Sequence, residues 1–325
     1  MTEPRRYQVT LDDPERFRVP RQGEESPGYY GQQVLLSGPW HWLVTWYFYL
    51  GGISGASFLL ATLAGWLGGE RARDIRRAGH LVSLATISPA PALLILDLGR
   101  RARFHHMLRV FKPLSPMNSG AWALSLFGAA SGLSAWHELA ELRLLPQPIG
   151  RVGQALPQGA ISAVGAASAL YFSGYTGTLL ATTAIPLWAR TPMLGALFMS
   201  SAAATGGAAI EGVLALKGED SGQLEAPRLA ALVAEAGLSE ALVRRLGSEV
   251  ARPLTTGRNR HWFRAYRVVG LGVPLALSLL PARRHRAVRL GVAAATLAGG
   301  FCLRAAIVEG GHESAEDPGA VLAAN

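Results

Sequence analysis

The sequence has a single cysteine, Cys302, in 325 residues. One thiol closes no internal disulfide, and it cannot supply the cysteine set that holds an iron–sulfur cluster. Charge is scarce too: 16% of residues are charged, against about a quarter in soluble domains. The eight histidines stand at 41, 80, 105, 106, 137, 261, 285 and 312, each at the edge of an apolar segment or between segments. A b-type haem needs paired axial ligands deep in its bundle, so haem is not expected. Any electrons handled here would pass through a bound organic carrier or an attached subunit. Residues 1–39 are polar and charged and lack the short apolar core of a signal peptide. They are expected to form an extramembrane arm.

What the sequence does have is apolar blocks. Half of its residues are hydrophobic, and several blocks reach the roughly 20 residues needed to span a bilayer. Seven stand out, at 40–67, 80–98, 120–139, 159–180, 193–216, 262–280 and 288–308. Glycine, alanine and serine recur in them at close-packing spacing, as in Gly51, Gly52 and Gly55, which favours helices packed tightly on one another. An eighth stretch, 224–250, has helical periodicity, but Glu235, Glu240, Arg244 and Arg245 interrupt it. It reads either as an amphipathic surface helix or as a sixth span whose charged face looks into the bundle. With it, the expected fold is an all-α, haem-free polytopic bundle of eight spans: arm 1–39, transmembrane bundle 40–310 and C-terminal tail 311–325.

The formal charge of +9 is carried by arginines lying between apolar blocks. It suits lipid headgroups or an acidic partner and argues against nucleic acid. Both predicted faces are basic, so the positive-inside rule leaves the orientation open.

One stretch draws the eye: "LILDLGRRARFHH", residues 94–106, runs from an apolar block into Asp97, then Arg100, Arg101 and Arg103. An acid at bilayer depth costs a few kcal/mol, so it has a partner or a task. Asp97 is either half of a structural salt bridge or a proton-handling acid. Alternation of spans places His41 at the start of the first, Asp97 and Arg100 at the end of the second, Asn118 and Ser119 at the start of the third, and Tyr171 and Tyr175 toward the end of the fourth. These sequence-distant polar groups then share one membrane face. Arg304, Glu309 and His312 join them if there are eight spans. Glu211 and Glu240 are further intramembrane carboxylates and the candidates for any coupled proton movement.

The stretch "RARFHHMLRVFKPLSPMNSGAW" (101–122), with "PWHW" (39–42), "SGYTGTLLATTAIPLW" (173–188) and "RAAIVEGGHESAEDP" (304–318), resembles the NrfD/PsrC family of polysulphide-reductase-type membrane subunits. The resemblance covers about 39 to 318. It implies a haem-free anchor in a bacterial-type cytoplasmic membrane. Such an anchor binds a quinone, menaquinone or ubiquinone, where an iron–sulfur subunit docks, while a molybdopterin subunit carries out the substrate chemistry. His41 then matches a histidine that hydrogen-bonds a quinone carbonyl, and Asp97 a carboxylate that exchanges protons with it. Arg103 and Phe104, with the following histidines, match a loop covering the site, and Arg100 stands beside it. Some relatives carry a tyrosine as second quinone donor on the third helix. Ala135 and Trp136 fall there in this sequence, so Tyr175 or Asn118 is the expected replacement. The residue types suit the task, because quinone reduction takes two electrons and two protons and so needs carbonyl donors and a titratable acid. Two other classes remain open on the residues alone: a proton-coupled secondary transporter, and a passive membrane anchor without a working site.

Overall fold

A computed structural model describes Leu35, Trp40, residues 42–189 and residues 191–324. The expected arm apart from Leu35 lies outside the described residues, as do His41, Arg190 and Asn325, and among the described residues there is no β-strand. The helices are α1 (Trp42–Leu67), α2 (Arg73–Ile87), α3 (Ala90–Asp97), α4 (Pro116–Glu141), α5 (Gln147–Gln154), α6 (Gln158–Ala181), α7 (Pro186–Ala189) and α8 (Met193–Lys217). There follow α9 (Gly222–Val250), α10 (Arg252–Thr255), α11 (Arg260–Ala265), a π-helical segment Tyr266–Gly272, α12 (Val273–Ser278), α13 (Arg286–Glu316) and α14 (Pro318–Ala324).

Local chemistry sets the breaks. Helix α2 stops at Ile87, and α3 restarts after Pro89, whose missing N–H interrupts the hydrogen-bond ladder. Helix α4 opens with Pro116 in its first turn after Ser115 in extended conformation. Helix α8 ends on Gly218 at φ 77°, the left-handed conformation that glycine adopts without penalty.

Among the described residues, four helices are long and apolar enough to cross a membrane: α1, the kinked α2–α3 pair, α8 and α13. Helices α4, α6 and α9 have 26, 24 and 29 residues, enough length for a hydrocarbon core of about 30 Å. Their glycine, serine and charge content lowers their hydropathy. The expected boundary at 310 falls inside α13, which runs unbroken to Glu316.

The bundle closes through small residues and buried polar contacts. Ser54 of α1 donates to the Ser83 carbonyl at 2.8 Å, and the Ser83 hydroxyl meets that of Ser131 on α4 at 2.9 Å. Gly299 of α13 packs so closely on Gly270 of the π segment that a Cβ there would sit 1.9 Å from the Gly270 Cα. Three buried charge clusters stand out. Arg304 of α13, 1% exposed, donates to the Ser201 hydroxyl and to the Phe198 carbonyl at 3.1 Å, with its guanidinium 4.9 Å from the Phe198 ring centroid. The buried carboxylate of Glu235 on α9 stands against Arg304, Ser201 and Tyr266. Toward the far end of α8, Arg228 donates to Glu211 at 2.8 Å and to Ser278 at 3.3 Å. His80 meets Glu138 at 2.9 Å, and Arg76 approaches the same carboxylate at 3.2 Å.

The stretch 224–250 therefore divides between its two readings. It forms a long helix packed on α8 and kinked near its end at Gly247, where φ is 73°, and Arg228 and Glu235 face into the bundle. Glu240, Arg244 and Arg245 lie on its outer side. Histidine 80 stands well inside a helix, because α2 begins at Arg73, before the apolar block does.

Arg304→Met should leave Glu235 buried without its counter-charge and lower stability by about 3–5 kcal/mol. Adding Glu235→Gln to the same protein should restore most of that loss. Thermal unfolding of the detergent-solubilised protein measures both, and equal losses in single and double variants would show the two groups uncoupled.

Candidate functional site

Contacts gather one set of helix ends together. Trp40, just before α1, stacks on Trp188 of α7 with centroids 5.5 Å apart, and Trp188 stands 5.9 Å from the His312 ring near the end of α13. At this end α3 terminates at half-buried Asp97, and the segment Arg101–Leu108 forms 3-10 turns leading back to α4. Asn118 ties that segment down. Its Nδ2 donates to the Met107 carbonyl at 2.6 Å, and its Oδ1 accepts from the Lys112 backbone N–H at 2.6 Å. Asparagine 118 is thus a loop clasp built from one amide. Ser119 shares a 3.0 Å hydrogen bond with the Tyr171 hydroxyl of α6.

Aromatic rings fill the space behind. Tyr171 stacks on Tyr175 at 5.7 Å, Tyr175 on Phe172 at 6.5 Å, and Phe172 on Phe127 at 5.7 Å. Tyr47 of α1, 3% exposed, meets the Phe172 ring edge-on at 6.1 Å. The Tyr175 ring lies flush on Gly120, where an added Cβ would come within 2.1 Å of its hydroxyl oxygen. A glycine is required there because any side chain would expel the ring.

The candidate residues fall as follows. Asp97, Asn118 and Tyr175 belong to elements that meet at this end, and Arg100 and Arg103 flank the exposed loop after Asp97. Phe104 and Phe111 on the same loop present 44% and 59% of their surface. Trp136 is elsewhere: it lies 18 residues along α4 from Asn118, about 27 Å at helical rise, and donates to the Ile149 carbonyl at 3.3 Å. Tyr47 and Gly120 were missed by sequence reasoning. Tyr47 sits in an aromatic run, "WHWLVTWYFY", whose density resembles an interfacial belt and hides the inward ring. Of the two acids named for coupled proton movement, Glu211 is paired to Arg228, and half-buried Glu240 is bridged between Arg244 and Arg267. Among the described residues no cluster of His, Cys, Asp or Glu is arranged to hold a metal ion.

A polytopic α-helical membrane protein, with stacked rings, a serine–tyrosine hydroxyl pair and a half-buried acid on elements at one end of its bundle, is the class these features define. Residues 31–314 match the NrfD family, described as polysulphide reductase, NrfD. The protein belongs to that family. It is also similar to the C subunit of polysulfide reductase from Wolinella succinogenes, 33% identical over 88 residues, a stretch covering 26% of this sequence and 28% of that protein. Family membership and its apolar helices make it a polytopic membrane protein of the NrfD type.

Asn118→Ala removes both bonds of the clasp, each worth about 0.5–1.5 kcal/mol. Amide hydrogen exchange across 107–112 should then accelerate roughly tenfold or more, while Tyr171→Phe should leave exchange there unchanged. Protection preserved in Asn118→Ala would mean that the loop is held by something else.

Proposed function

We propose that this protein is the quinone-reactive membrane subunit of a respiratory complex, with eight helices crossing a bacterial-type cytoplasmic membrane. It binds menaquinone or ubiquinone at the Asp97 end and exchanges electrons with an iron–sulfur subunit docked there. A molybdopterin subunit carries out the substrate chemistry, and the membrane subunit has none of its own. The observation that carries the reading is that a half-buried carboxylate ends α3, while a Ser119–Tyr171 hydroxyl pair and a column of stacked rings stand on α4 and α6, with the 101–108 segment packed between α3 and α4 at one bundle end. A planar dione with an apolar tail fits such a lining: rings for its faces and tail, O–H groups for its carbonyls.

The quinone, when bound, supplies a carrier for two electrons and two protons. The protein's part is binding and proton handling. His41 donates to one carbonyl. Tyr175, pressed on Gly120, holds the headgroup plane, and Ser119 with Tyr171 keeps α4 and α6 at fixed separation. Asp97 passes protons between the recess and the loop, and Arg100 and Arg103 set its charge balance or meet the docked subunit. Placement at this end also suits electron transfer, since a site at the other end would lie about 30 Å farther from a cluster docked here.

Asp97→Asn keeps the size of the side chain and removes its titratable proton. That variant and His41→Ala should each slow quinone-linked turnover by roughly a hundredfold, while electron transfer to a soluble artificial acceptor survives. Full quinone turnover in both variants, with the complex intact, would place the site elsewhere. Gly120→Ala should act similarly by displacing Tyr175, raising the KM for quinol more than it lowers kcat.

A further inference from the structure

The outer turns of α9 and α11 carry charge on the outside of the bundle. Arg260, Arg264 and Arg267 follow one another at helical spacing, so they share a face, and all three are exposed. Arg267 reaches the Glu240 carboxylate of α9 at 3.7 Å, and Arg244 reaches the same group at 3.1 Å, beside exposed Arg245. Arg244, Arg245, Arg264 and Arg267 with Glu240 therefore make a patch of net charge +3, while Arg260 lines a hollow with Glu313 and Asp317. Arg267 stands seven residues into its helical run, about 10 Å from the start, yet is 58% exposed. A side chain that deep and that open points sideways from the bundle rather than off its end.

The faces bearing these charges are otherwise apolar. Val268, one turn beyond Arg264, and Val233, two turns before Glu240, are exposed at 63% and 62%. Arginines above such an apolar stripe lie where their stems meet hydrocarbon and their heads reach the headgroup level. The patch is too positive to face its own copy, because two such surfaces would repel across the interface. Its complement is an anion with an apolar tail.

We propose that this face, formed by α9 and by α11 with the π-helical segment that continues it, is a binding site for an anionic phospholipid. Arg244, Arg264 and Arg267 hold its phosphate, and its acyl tails lie along Val233 and Val268. Glu240 positions two of the guanidiniums by bridging them. The site is separate from the quinone recess and does not depend on that assignment.

The test uses the purified complex, stripped of lipid in detergent and titrated with phosphatidylglycerol or phosphatidylcholine of matched acyl composition. Bound lipid is counted by native mass spectrometry. The wild type should prefer phosphatidylglycerol, and the preference should weaken as salt is raised. A combined Arg244→Gln, Arg264→Gln, Arg267→Gln variant should bind phosphatidylglycerol roughly tenfold less tightly or worse, with phosphatidylcholine binding unchanged. The matching lysine variant, which keeps the charge, should retain most of the preference and so separates charge loss from misfolding. Arg109→Gln with Lys112→Gln, on the loop after Asp97, should leave the preference intact. No preference in the wild type, or an undiminished one in the glutamine variant, overturns the site. So does a preference that appears only when this subunit is freed from its partners, because a protein then covers the patch.

Discussion

The bundle is organised around the charge of Arg304. A guanidinium stays protonated at any accessible pH, and in an apolar interior it must keep hydrogen-bond acceptors and a counter-charge around it. Those requirements dictate the neighbours. Ser201 and the Phe198 carbonyl bring α8 to α13, and Glu235 brings the middle of α9 to the same point. The guanidinium also needs room, and Gly52 of α1 leaves it, since a Cβ there would stand 3.2 Å from Nη2. On the other flank Gly270 and Gly299 let the π segment lie against α13 backbone to backbone. Several elements are thus placed by one cation, and the small residues that read as generic membrane packing have this specific duty.

Legibility followed the same divide between local and convergent information. The long helices were visible as apolar blocks because burial in lipid demands a signal in each segment separately. Asn118 was visible as the start of a helix, but its amide serves the loop from Met107 to Lys112, a pairing that neither stretch announces. Arg228 and Glu235 look alike on paper to Arg244 and Glu240. Only the rotation of α9 against α8 sends the first two inward and the others outward. Trp136 illustrates the converse error: a position assigned by likeness to relatives lands at the end of α4 that faces α5. Tyr47 escaped notice because aromatic density carries no sign for direction.

The two ends of α4 are held by different means, and that difference bears on function. The end opposite Asp97 is clamped by ions: His80 with Glu138 and Arg76, all buried or nearly so. Taking one partner from such a pair is costly, so these helix ends have little freedom to separate. Where α4 and α6 meet at the Asp97 end, the joints are softer. Stacked rings, a hydroxyl pair and an amide clasp act there, each contributing on the order of 1 kcal/mol. Rings can slide against a planar guest without losing their apolar contacts, whereas an ion pair cannot open without stranding a charge. A bundle that must admit a flat, apolar-tailed carrier at one end while keeping its shape would place its strongest clamps at the other end and its aromatic rings at the entrance, and α4, with Glu138 at one end and Tyr175 pressed on Gly120 at the other, has that distribution.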